Sequence, residues 1–133
     1  MRRRKFLAGL AVLPALTFSG CTTLADARAE RGSGVVVNYA APFDRLWSGL
    51  KDVLRELDLK PAGDNVAEGY ILVEHGASAF SWGERVVIFV ERIGTQGLTR
   101  VEVVSKAAVG TNATATDWAA RIHEKLGQRF KRA

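Results

Sequence analysis

Apolar residues recur at three- and four-residue steps over Phe43, Leu46, Trp47, Leu50, Leu54 and Leu57, while Asp44, Arg45, Ser48, Lys51, Asp52, Arg55 and Glu56 take the other side. That spacing predicts an amphipathic helix running to about Leu57 or Asp58. Pro42 suits its first position, and Pro61 and Gly63 close the segment. A second stripe, Trp118, Ile122, Leu126 and Phe130, returns at every fourth residue. It predicts a closing helix opened by a capping box of Thr114 and Asp117. Arg121, Lys125, Arg129, Lys131 and Arg132 load its far half with positive charge, which suits the negative end of the helix dipole.

Between and before the helices the apolar period shortens. Val35 to Tyr39 is a β-rich run, Asn65 to His75 holds Tyr70-Ile71-Leu72-Val73, Glu84 to Arg92 holds Val86 to Val90, and Leu98 to Lys106 holds Val101, Val103 and Val104. Each reads as a strand, and Gly94-Thr95-Gln96-Gly97 reads as the loop of a hairpin joining the last two. The order β-α-β-β-β-α predicts a two-layer α+β domain, in which a four-stranded, antiparallel-rich sheet carries both helices on one face.

Strand alternation assigns the faces. Val35, Val37, Ile71, Val73, Val86, Ile88, Val90, Val101 and Val103 go beneath the helices. The opposite face then carries Val36, Asn38, Tyr70, Leu72, Glu74, Arg85, Val87, Phe89, Glu91, Arg100, Glu102 and Val104, apolar in its middle and charged at its edges. Two readings stand for that face: a docking surface, with Tyr70 and Phe89 as anchors, or a solvated sheet that keeps β-branched residues for propensity. The loop Gly76 to Gly83 places Phe80 and Trp82 among small residues, either to hold a partner or membrane or to fold back over the open end of the core.

Composition changes little until charge is located along the chain. The 133 residues are 47% hydrophobic and 25% charged, which are globular values for one domain. The net charge of +5 comes from 19 Lys and Arg against 14 Asp and Glu, but Arg2, Arg3, Arg4 and Lys5 contribute four of the cations and residues 1–20 no acid. Residues 21–133 therefore hold 15 cations against 14 acids, a net of +1. Nucleic-acid binding loses its main support.

Those four cations precede the apolar run Phe6 to Phe18 and then Ser19-Gly20-Cys21, the n-region, h-region and cleavage site of an export signal. The run spans 13 residues, short of the roughly 20 that cross a bilayer. Arg3-Arg4-Lys5-Phe6-Leu7 fits the twin-arginine pattern as well as an arginine-rich general secretory signal. Phe18-Ser19-Gly20-Cys21 resembles the lipobox of bacterial lipoproteins, with Phe18 where Leu is usual. The resemblance implies that Cys21, the single cysteine, takes a diacylglycerol thioether and is acylated on its freed amine. It also implies, with Thr22 rather than Asp following, an anchor in the outer membrane facing the periplasm. The organisation expected is a signal peptide over 1–20, a lipidated tether over 21–34 and one domain over 35–133. The order of elements in residues 35–131 is also similar to the helix-grip domains of a lipoprotein component of the β-barrel assembly machinery.

Chemistry is sparse. His75 beside Glu74 and His123 beside Glu124 form no chelate, because neighbours on a strand or helix do not face one way. No Gly-x-Ser-x-Gly elbow and no glycine-rich phosphate loop occurs. The expectation is a non-enzymatic, lipid-anchored envelope protein with no cofactor and no metal. Its role is accessory binding to another envelope component or, alternatively, binding of a small ligand or lipid.

Overall fold

The computed structural model describes residues 28–75, 84–107 and 117–133. The strands are β1 (Val35–Tyr39), β2 (Pro61–Asn65), β3 (Tyr70–His75), β4 (Glu84–Ile93) and β5 (Leu98–Ala107), and the helices α1 (Phe43–Glu56) and α2 (Trp118–Arg129). The strands form one antiparallel sheet in the order β1-β5-β4-β3-β2. The α+β class stands as expected, with five strands where four were predicted.

The additional strand is β2. Its sequence, Pro-Ala-Gly-Asp-Asn, is poor in β-formers and reads as a helix terminator. It pairs only on one side, with β3, and carries a register shift between Pro61 and Gly63. An exposed edge tolerates proline and a bulge, and both discourage further pairing beyond it. Asn65 ends this strand instead of opening the next, and residues 66–69 turn the chain into β3.

The amphipathic spacing of α1 buries Phe43, Leu46, Trp47, Leu50, Val53 and Leu54 against the sheet. The helix ends at Glu56 with Leu57 as its cap, and Asp58, at a φ of 57°, lets the Leu59 N–H reach back to the Leu54 carbonyl at 2.8 Å. In α2 the cap is Asp117, whose Oδ1 accepts the Ala120 N–H at 3.1 Å. Thr114, the other half of the expected capping box, lies outside the described residues. The two helices meet where Gly49 lies beneath the Phe130 ring, and a Cβ there would come within 2.5 Å of two ring carbons.

Seven of the nine residues assigned to the helix side of the sheet are buried in the main core: Ile71, Val73, Val86, Ile88, Val90, Val101 and Val103. Val37 packs at its border. Val35 departs from the expectation at 51% exposure, because it begins an edge strand that has β5 on one side only. The other edge of β1 meets the chain's last residues. Ala40 N–H donates to the Lys131 carbonyl at 2.8 Å, and Ala133 N–H to the Asn38 carbonyl at 2.9 Å.

The turn between β2 and β3 is held against β4 by Gly69. Its N–H donates to the Asn65 carbonyl and its carbonyl accepts the Val90 N–H, both at 2.8 Å. Its φ is +73°, and a Cβ would stand 2.2 Å from the Val90 oxygen. Gly69→Ala therefore combines a disfavoured backbone with a backbone clash, and should lower stability by about 2 kcal/mol or more in urea unfolding. Unfolding at the wild-type midpoint would show that this turn does not pack on β4.

Candidate functional site

The outer face of the sheet is covered in its middle, and part of the cover is the segment that precedes β1. Val87, Phe89 and Val104 form a second, smaller buried cluster there, with Tyr70 and Leu72 packed against it. Residues 28–34, assigned from composition to the tether, cross this face. Arg28 reaches Glu68 in the β2–β3 turn at 2.6 Å, Glu30 pairs with Arg85 on β4, and the Arg31 guanidinium carbon lies 5.0 Å over the Phe89 ring.

Glu102, on β5, is the fixing point. It is only 4% exposed, and its Oε1 accepts the Gly32 N–H at 2.5 Å and the Gly34 N–H at 3.4 Å. Both glycines suit such contacts. Gly32 has a φ of +94°, and a Cβ on Gly34 would meet the Val103 carbonyl oxygen at 2.4 Å. The strap can lie directly on the β5 backbone because no side chain intervenes.

Three hollows open around Arg31. One, of about 550 Å³, is lined by Arg28, Arg31, Glu68, Tyr70 and Phe89. A second, of about 320 Å³, extends past the β2–β3 turn and includes Val66, Glu91 and Arg92. The third, of about 160 Å³, runs toward Arg100 and Glu102. Arg28 is engaged by Glu68, whereas the Arg31 side chain has no carboxylate or carbonyl acceptor among the described residues.

The residues singled out from sequence fall on both sides of this picture. Tyr70 and Phe89 come together at the 550 Å³ hollow, Tyr70 half-buried and Phe89 6% exposed beneath Arg31. Phe89 is thus a platform under the strap instead of an exposed anchor. Cys21, Phe80 and Trp82 lie outside the described residues, as does the rest of the leader. Arg28 and Arg31 were missed, since an Ala-Arg-Gly-Ser segment has linker composition. The local signal for a close approach was the pair Gly32 and Gly34.

His123 is also in use. It is 3% exposed and stacks on Tyr39, which is fully buried. The Tyr39 hydroxyl lies 2.7 Å from His123 Nδ1, and His123 Nε2 lies 2.8 Å from the Val35 carbonyl. Nε2 donates to the Val35 carbonyl, and in the neutral ring Nδ1 accepts from the Tyr39 hydroxyl, which also lies 3.3 Å from the His123 carbonyl. Burial pushes the His123 pKa down, opposed by the Val35 hydrogen bond and reinforced by the Arg132 charge. Burial likewise pushes Tyr39 up to about 12, against the pull of Arg132. His75 ends β3, and no cluster of three or more His, Cys, Asp or Glu among the described residues is placed to hold a metal.

No protein-family model matches the chain, and a search of curated proteins finds no match either.

His123 predicts a pH dependence whose sign follows from its lowered pKa. Below about pH 6.5 the unfolded chain takes up a proton that folded His123 declines, so stability falls as pH drops from 7 toward the folded value. His123→Gln should reduce stability at pH 7 and flatten this slope, by at most about 1.4 kcal/mol per pH unit. Urea midpoints of both proteins between pH 7.5 and 5 check this, since carboxylate titrations common to the two cancel. Parallel slopes would contradict it.

Proposed function

We propose that the protein is an exported lipoprotein whose folded domain binds another component of the bacterial cell envelope and performs no catalysis. The observation that carries this reading is Phe18-Ser19-Gly20-Cys21, a lipobox-like run that places the single thiol of the chain directly after a basic and then apolar leader. Thr22 favours the outer membrane, facing the periplasm.

The domain adds support of a different kind. His123 spends both ring nitrogens on Tyr39 and Val35, and among the described residues neither a serine nor a carboxylate completes a nucleophilic set around it. Binding in place of chemistry is the role these surfaces suit. A second reading, that the bound component is a small ligand or lipid, is favoured by the Arg31 hollow. Mass spectrometry of an apolar extract from the purified protein separates the two.

Cys21→Ser tests the anchor. Fractionated cells should show the variant released from membranes, unlabelled by radioactive palmitate, and with the wild-type melting temperature. Continued attachment or labelling would overturn the lipoprotein reading. In-cell crosslinking of the wild-type protein should then recover one dominant envelope partner at near-equal amount.

A further inference from the structure

We propose that the hollow centred on Arg31 receives the phosphate of an anionic phospholipid headgroup in the membrane that anchors the chain. The inference deepens the lipoprotein reading and rests on it for the position of the membrane.

The receptor chemistry lies in Arg31. With its guanidinium carbon 5.0 Å over the Phe89 ring, the side chain uses the aromatic face as a platform, and its N–H donors have no acceptor among the described residues. A guanidinium supported in this way keeps its planar fork for an anion, and two parallel N–H bonds to phosphate oxygens match that fork. Arg28 is not equivalent, because Glu68 already occupies it. Of the acids around Arg31, Glu68 is neutralised by Arg28 at 2.6 Å, and Glu102 is buried and taken up by the amides of Gly32 and Gly34. Glu91 lies directly across the β4–β5 pair from Arg100, which offsets its charge.

The surroundings fit a headgroup with apolar material behind it. Tyr70 and Phe89 line the 550 Å³ hollow, and Val66, 56% exposed, stands at the rim of the adjoining one with Arg92. An amphiphile can set its phosphate on Arg31 and its glycerol and first methylenes along this rim.

Covalent reach selects the membrane over a soluble phosphate. From Cys21 to Arg28 the chain has seven residue steps, so the two are never more than about 25 Å apart. A lipid on Cys21 holds that residue at the headgroups. The chain then reaches the domain at the outer sheet face, three residues before Arg31. The face that carries the hollow is therefore the one tethered closest to the bilayer, at a high local concentration of headgroups.

The test uses the full lipidated protein, reconstituted in vesicles of phosphatidylcholine alone or mixed with phosphatidylglycerol. Arginines are modified with phenylglyoxal and the rates read peptide by peptide. Arg31 should react about fivefold or more slowly in the phosphatidylglycerol vesicles, as occupancy lowers the free fraction, while Arg45, exposed on α1 across the sheet, reacts equally in both. Equal Arg31 rates in the two vesicles would overturn the proposal. So would protection in phosphatidylcholine by added inorganic phosphate with no further effect of phosphatidylglycerol, which would make the hollow a site for free anions. Intact mass reports lipidation of Cys21 separately, so failure of the anchor and failure of the hollow are told apart.

Discussion

A carboxylate with 4% of its surface exposed is costly to keep unless its oxygens are met by donors, and among the described residues Glu102 finds them in the strap. The amides of Gly32 and Gly34 converge on one oxygen of Glu102, and the same seven residues put Arg31 on Phe89 and Glu30 on Arg85. Without the strap, Glu102 would lose these donors and part of the apolar strip Val87, Phe89 and Val104 would face water. The sheet has two apolar sides, and α1 and α2 both lie on one of them. The strap is how the chain helps to cover the other. The closed position of Phe89 and the stacking of Arg31 upon it both follow from that geometry.

What was legible in the chain follows the strength of its local signals. The α1 stripe and the valine-rich runs of β3, β4 and β5 carry period and propensity together, so the elements and the inner face of the sheet could be read directly. Pro61–Asn65 carries neither. It is a strand because β3 offers a ladder and because Lys51 on α1 pairs with Asp64 at 2.7 Å, and both are tertiary facts. Val35 was misplaced because alternation gives the side of a sheet but not how far the helices extend over it.

The outer face was legible in composition and illegible in occupancy. The alternation correctly put Phe89, Glu102 and Tyr70 together, yet nothing in Ala-Arg-Gly-Ser chemistry announces that the segment packs. His123 was similarly hidden. It neighbours the α2 stripe in sequence, and its partner Tyr39 lies 84 residues away in the chain, so only the fold unites them. Buried polar pairs of this kind specify how a strand and a helix meet, and periodicity does not register them.

The position of β1 at the sheet edge has a consequence for the order of assembly. Strands β2 to β5 form a meander of neighbours in sequence, whereas β1 must find β5 from the far end of the domain, pairing Val35 with Val103. Closing so long a loop costs entropy before any contact repays it, so local hairpins precede it. The strap leads into β1 and can settle only once that strand is in place. A sheet assembled from β2 to β5 alone would still show part of its second apolar side, and sequestration of that side would wait on the residues that lead into β1.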